Sequence, residues 1–507
     1  MTTAIDKTKE SAAISTGAWI KDRIKPKQIA KYLDNGRDFV DASAIERVLA
    51  TNQVSDARRV RDILQKSLAI ETLTPEETAC LLHVTDLELL AEMREAAAAV
   101  KTKVYDNRIV TFAPLYMSNL CVNDCLYCGF RCTNREADRR TLSFDEVRRE
   151  IEVLAGKIGH KRLIVVYGEH PKSGIDYMAE TLRTIEGVKV KTRRGWGQIR
   201  RCNVNAAPLS VEELRVLKEA GIGTFQVFQE TYHRPTYEQL HPSHTIKGNY
   251  LWRLYGMHRS MEAGVDDVGL GVLFGLYDWE FEVMGLLYHA IELERRFGVG
   301  PHTISFPRLE PAHKTPFTQN PQYEVNDEDF KRLVTVIRLA VPYTGMILTA
   351  RENAQLRREV LPLGCTQTDA SSRIGIGSYA ELLDESQHGE RQQFILGDTR
   401  SLDDVVRELA ENGHITSFCT AGYRCGRTGQ KIMGLLRSGK EGHFCKLNAV
   451  ITFREWLDDF ASPETMAVGE KVIAREIVQV REKMPDIFET FMGYYEKTQT
   501  GQRDLYF

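Results

Sequence analysis

The sequence has no run of 18 apolar residues, so no membrane-spanning helix is expected. It has too little cysteine for a disulfide scaffold, ten in 507 residues. It has no excess of one charge: a formal net charge of -3 leaves no basic field for nucleic acid. Met1 to Thr16 is polar and lacks an apolar core, so no secretory segment is expected there. A cytoplasmic protein with reduced thiols follows as the expectation. Internal repeats and low-complexity tracts are also missing. What remains is an ordinary globular composition, 42% hydrophobic and 27% charged. The length suits one large barrel plus extensions.

Three of the few cysteines stand together, in Cys121-Val122-Asn123-Asp124-Cys125-Leu126-Tyr127-Cys128. The spacing C-x3-C-x2-C supplies three thiolates where a closed cubane takes four. A 4Fe–4S cluster held this way keeps one iron open for a small molecule. A zinc site would need a fourth protein ligand close by, and Cys132 matches no standard zinc spacing. The apolar run from Ile109 to Tyr116 just before the cysteines reads as a buried strand. The motif therefore lies on a loop leaving a strand, where α/β enzymes place their chemistry.

The rest of the chain supports that placement. Residues 1–20 read as a loose tail, and 21–104 as an N-terminal helical layer. Thr74, Pro75 and Glu77 form a capping box there. Strands are expected at 109–115, 162–167, 199–204, 223–229, 267–274, 302–306, 346–349 and 367–370. Between them lie helices, including those opened by Ser143 with Glu146 and Ser210 with Glu213, and others near 278–296, 327–341 and 351–360. Eight strands alternating with helices is the count of a (β/α)8 TIM barrel, here over 105–380. Residues 381–507 read as a mostly helical C-terminal domain, beginning with a polar stretch and a helix capped by Ser401.

The spacing C-x3-C-x-aromatic-C resembles the signature of radical S-adenosylmethionine enzymes. That resemblance implies a 4Fe–4S cluster on Cys121, Cys125 and Cys128, with S-adenosylmethionine chelating the open iron. Reduction then yields a 5′-deoxyadenosyl radical, and the protein's task is orientation. Tyr127 would lie against the adenine. Gly168-Glu169 resembles the family's motif for the cofactor amine, Glu230 ends the fourth strand, and Arg253 is a candidate fork for the cofactor carboxylate. Gly269 and Gly271 would let the backbone approach the adenosine.

Downstream segments, among them Phe228 to His233, Trp252 to His258, Gly300 to Arg308 and Thr349 to Glu352, are similar to the aromatic amino acid lyase branch. That branch takes in the 2-iminoacetate synthases of thiamine biosynthesis and the HydG-type tyrosine lyases of FeFe-hydrogenase maturation. It implies an amino acid substrate, tyrosine first, a low-potential electron donor and hydrogenase maturation proteins as partners. Arg308 is the candidate clamp for the substrate carboxylate. The HydG type carries a C-terminal extension with cysteines spaced C-x2-C-x22-C for a second iron–sulfur cluster. Here Cys419 and Cys445 hold the outer places, Gly422 stands in the middle one, and Cys425 follows three residues later. Two cysteines alone hold a cubane poorly. Cys425 takes the middle place if the loop bends back. The resemblance also implies a barrel histidine beside that cluster's extra iron, with His289 as the candidate. Three activities remain open: tyrosine cleavage to p-cresol and dehydroglycine, with carbon monoxide and cyanide resting on the second cluster; a lyase step alone, as in 2-iminoacetate synthesis or on another amino acid; or an iron–sulfur scaffold without catalysis.

Overall fold

The computed structural model describes residues 16–53, 56–381, 387–426, 429–437 and 441–507. Most of the expected tail lies outside them. Its end does not: Thr16–Arg23 is a helix, with Arg23 buried. Five further helices, Pro26–Ala30, Ala42–Thr51, Ala57–Leu68, Pro75–Leu82 and Leu87–Tyr105, form the N-terminal layer. The Thr74 capping box is present, and Asp41, Asp56 and Asp86 each cap the helix that follows.

The barrel strands are β1 (Arg108–Ser118), β2 (Arg162–Tyr167), β3 (Arg201–Asn205), β4 (Phe225–Gln226), β5 (Val268–Gly271), β6 (Thr303–Ser305), β7 (Gly345–Leu348) and β8 (Gln367–Asp369). All neighbours pair in parallel, and β8 returns to β1 through Val110, Thr111 and Phe112, closing the cylinder. Side chains alternate as a pleated strand requires. On β1, Phe112, Pro114 and Tyr116 face the lumen, while Ala113, Leu115 and Met117 join the outer core. The outer helices begin where their caps placed them, with complete capping boxes at Ser143 and Ser210. The fourth strand is shorter than its expected run 223–229. Beyond Gln226 the backbone still bonds to β5, through Val227 N to Gly269 O (3.4 Å) and Gln229 N to Gly271 O (2.8 Å), as it turns toward Glu230.

The C-terminal region holds the expected helices and one unexpected strand. Ile415–Ser417 is β9, paired in parallel with Arg108–Val110 at the start of β1. Helices Glu441–Phe460, Pro463–Lys483 and Pro485–Gln499 follow. Buried charges fasten them to the barrel base. Glu455 accepts from Lys161 (2.8 Å) and Arg200 (3.0 Å), both just ahead of barrel strands. Lys446 sits between Asp106 and Glu476, at 2.6 Å from each. Burial acts to raise the Glu455 carboxyl, but Lys161 and Arg200 outweigh it and hold the group at about 2. Its stabilising effect is therefore complete above the ordinary carboxylate range and is lost as pH falls toward 2. Glu455→Ala strands buried Lys161 and leaves Arg200 with Asp504 alone (3.0 Å), and is expected to cost about 3–5 kcal/mol. A urea unfolding midpoint at pH 7 checks it.

Candidate active site

The C-terminal ends of the strands surround one cavity, which encloses about 220 Å³ open to the centre of a water molecule. Cys121, Cys125, Tyr127, Cys128, Glu169, Glu230, Lys247 and Arg253 all line it. The loop after β1 is held by backbone-directed bonds. Val122 N donates to Glu169 O (2.9 Å), Lys247 N to Asn123 Oδ1 (2.9 Å), and Cys132 N to Asn123 O (2.8 Å). The Arg139 guanidinium donates to the carbonyls of Asn119, Phe130, Arg131 and Asn134. The loop shape thus rests mainly on Arg139 and backbone bonds, and none of the thiols is in a disulfide.

Burial pushes the Cys121 thiol up to about 11 and Cys125 up to about 12. Such thiols become thiolates only when a cation binds them, as in a metal cluster. Among the described residues no three His, Cys, Asp or Glu converge on a single ion. A cubane gives each thiolate its own iron, so its ligands stand wider apart than those of one ion. Three cysteines on one preset loop, Cys125 buried and Cys121 and Cys128 partly so, all facing one cavity, suit that group.

Glu169 is buried, and its Oε2 accepts from Asn123 Nδ2 (2.6 Å). Its Oε1 has no hydrogen-bond partner; the nearest cation is Arg23 Nε at 3.9 Å. A buried carboxylate oxygen without a donor suits a ligand amine. Glu230 is held at φ 74°, a conformation that side chains with a Cβ seldom adopt. Leu273 N bonds its carbonyl (2.9 Å), while Lys247 (2.6 Å) and Arg253 (2.9 Å) hold its carboxylate. Burial opposes ionisation of Glu230, but these two cations prevail and lower it to about 2. The Tyr127 hydroxyl meets His241 Nε2 at 2.8 Å, and Lys247 Nζ lies 5.4 Å from the ring centre.

Four expectations need correction. Arg253 lines the cavity but is not a free fork, since Nε donates to Phe228 O (2.5 Å) and Nη2 to Glu230. Gly269 and Gly271 make room for protein rather than for a ligand. A Cβ at 269 would lie 2.5 Å from the Gln226 side chain, and one at 271 would lie 2.4 Å from Phe228. Arg308 turns away from the cavity onto Glu352 (3.1 and 3.2 Å from Nε), Asp327 (2.9 Å) and Val325 O (2.8 Å). Besides Arg253, the cavity is lined by Arg351. Its guanidinium carbon lies over Phe394, 3.3 Å from the ring centre, and the group donates to the Arg308 carbonyl (3.3 Å). Among the described residues no carboxylate forms an ion pair with it; Glu310, which also lines the cavity, is the carboxylate that acts on it most strongly. Arg308→Ala is accordingly expected to lower the melting temperature and leave KM unchanged, as calorimetry beside steady-state kinetics would show.

His289 is the fourth. It lies on the outer helix Trp279–Phe297, bonded through Nδ1 to the Tyr232 hydroxyl (2.8 Å) and packed on Phe39. The second cysteine set is at the opposite end of the barrel, after β9. There Asp266 fills the space beside Gly429, and the adjacent Asp267 lies 3.7 Å from His302 Nδ1. His302, just ahead of β6, is one of the histidines at that end, with His160 and His414. Ala421–Arg424 is a helical turn, continued by Cys425 N to Ala421 O (2.9 Å). Residues three apart share a helix face. Cys425 therefore stands one turn beyond Gly422 on the same side. Arg427 and Thr428 lie outside the described residues.

Residues 115–286 match the Radical SAM superfamily, and 305–415 match the Biotin and Thiamin Synthesis associated domain. The 2-iminoacetate synthase of Salmonella typhimurium is 31% identical over 355 residues, 69% of this chain and 88% of that protein. The crystal structure of HydG, a maturase of the FeFe-hydrogenase, superposes with a TM-score of 0.87 at 46% identity, covering 93% of this chain and all of that one. The HydG maturase from Carboxydothermus hydrogenoformans superposes with a TM-score of 0.74 at 34% identity. With the three-cysteine loop at the mouth of a closed eight-stranded barrel, these likenesses establish that the chain belongs to the radical S-adenosylmethionine superfamily, in the group that holds HydG and 2-iminoacetate synthase, and works with a 4Fe–4S cluster and S-adenosylmethionine.

Proposed function

We propose that the chain is a HydG-like lyase that cleaves the Cα–Cβ bond of tyrosine to p-cresol and dehydroglycine. The observation that carries this is an amino acid's worth of contacts in the cavity that also holds the cysteines. Arg351, without a carboxylate of its own, suits the substrate carboxylate. Below it the lumen is walled by Phe112, Tyr116 and Phe228. Deeper still, Gln226 is buried and lines the cavity; its Nε2 donates to Thr303 (3.3 Å) and its Oε1 has no partner. That acceptor suits a phenol hydroxyl.

With cluster and S-adenosylmethionine bound, the site supplies a carbon radical able to take a hydrogen atom from the substrate amine. The protein's share is positional. Cys121, Cys125 and Cys128 hold the cluster, Glu169 takes the cofactor amine, Tyr127 lies by the adenine, and Glu230 with Lys247 and Arg253 fixes the rim. Arg351 and Gln226 would set the two ends of tyrosine. Gln226→Leu should then cut kcat/KM for tyrosine by about tenfold to a hundredfold, the loss of one buried hydrogen bond, and spare phenylalanine. Competition kinetics with the two substrates checks it.

Carbon monoxide and cyanide formation rests on the second cysteine set. We infer that Cys425 supplies the thiolate missing at Gly422, because the two share one helix face. Cys425→Ala is expected to lose about four irons per chain and all carbon monoxide while keeping p-cresol. Unchanged iron in that variant would refute the ligation.

A further inference from the structure

A strap of residues crosses the cavity mouth between the cysteine loop and β7. Glu390 O accepts from Asp138 N (2.9 Å) at one end, and Gly397 N donates to Ala350 O (2.9 Å) at the other. In its middle, Gln393 O accepts from Gly129 N (3.1 Å). The fit there is close: a Cβ at residue 129 would lie 2.8 Å from Gln392 O and 2.9 Å from Gln393 O. Only glycine lets the strap settle onto the residue that follows Cys128.

The Gln393 side chain points at sulfur. Its Nε2 lies 3.5 Å from Cys128 Sγ, which also accepts from Phe130 N (3.4 Å). Its Oε1 accepts from the buried Tyr116 hydroxyl (3.1 Å). Turning the amide over would set an oxygen against the sulfur, so a thiolate at Cys128 selects the orientation seen. The next residue, Phe394, carries the Arg351 guanidinium. One dipeptide therefore touches both the cluster loop and the substrate clamp.

We propose that Gln393 is a positioning residue that sets the reduction potential of the cluster through its hydrogen bond to Cys128 Sγ. The inference rests on Cys128 being a cluster ligand. A donor on a ligating sulfur stabilises the reduced, more negative state and raises the potential. Tyr116 keeps the donor aimed.

The test is a redox titration of the anaerobically reconstituted full chain, following the EPR signal that changes when S-adenosylmethionine is added. Gln393→Met keeps the side chain's length and removes the donor; Tyr116→Phe keeps the donor and frees it to turn. At a fixed reductant potential, Gln393→Met should lower the reduced-to-oxidised ratio about threefold to tenfold, tenfold being 59 mV for one electron. Tyr116→Phe should lower it less, with iron content as in the wild type. An unchanged potential in Gln393→Met with intact iron overturns the proposal. Loss of the cluster in that variant also overturns it, because the amide would then hold the loop rather than tune the sulfur. A wild-type protein with no reducible cluster that responds to S-adenosylmethionine would instead refute the ligation beneath it.

Discussion

Replacing Arg351 by alanine is expected to lower kcat/KM for tyrosine by about a hundredfold to a thousandfold. The estimate takes about 3–4 kcal/mol for a charge-assisted, two-pronged bond to a carboxylate inside a cavity, at 1.36 kcal/mol per tenfold. The guanidinium is already in place over Phe394, with no ion pair to a carboxylate among the described residues, although Glu310 in the same cavity lies near enough to interact with it. Little ordering is left for the substrate to induce, so the loss should fall chiefly on KM. Arg351→Lys should recover part of it, since a point charge replaces the fork. Arg308→Ala is the internal control, because that side chain is committed to Glu352 and Asp327. If Arg308→Ala raises KM and Arg351→Ala does not, the assignment is reversed.

Alanine at Cys121, Cys125 or Cys128 is expected to abolish 5′-deoxyadenosine formation and remove about four irons per chain. Alanine at Cys132 should do neither. Cys132 is exposed and does not line the cavity, although it is held to the same loop through Asn123 O. The loop itself should survive each substitution, because Arg139 and the backbone bonds of Val122 and Asn123 shape it. The iron loss can therefore be read as lost ligation rather than unfolding. A similar melting temperature for all four variants, each measured in its iron-free form, would confirm that separation. Retained 5′-deoxyadenosine in any of the first three would exclude that residue as a ligand.

The features legible in the sequence are those that short stretches determine. The cysteine spacing, the capping boxes at Thr74, Ser143 and Ser210, and the alternation of strand and helix all rest on residues within a few positions of one another. The site itself was legible where a motif follows its strand directly, as Cys121 to Cys128 follow β1 and Glu169 follows β2. The misplacements share a different cause. Whether Arg308 or Arg351 enters the lumen depends on Glu352, which lies beyond β7 and captures the nearer guanidinium. The space at Gly269 and Gly271 belongs to side chains of the neighbouring strand, 43 residues away in the case of Gly269 and Gln226 and likewise for Gly271 and Phe228. His289 sits on an apolar helix whose spacing says that it is buried but not against what. β9 is three residues long and is a strand only because β1 offers it an edge. Arg351 carried one local signal, in Thr349-Ala350-Arg351-Glu352 just after a strand, while the capture of Arg308 by Glu352 depends on the folded chain.

The most direct test of the lyase assignment is the ratio of p-cresol to 5′-deoxyadenosine formed from tyrosine by the anaerobically reconstituted full chain with reductant and S-adenosylmethionine. A lyase whose cavity holds tyrosine between Arg351 and Gln226 should give the two in near-equal amounts. 5′-Deoxyadenosine without p-cresol, or neither product from a protein with its iron in place, would contradict it.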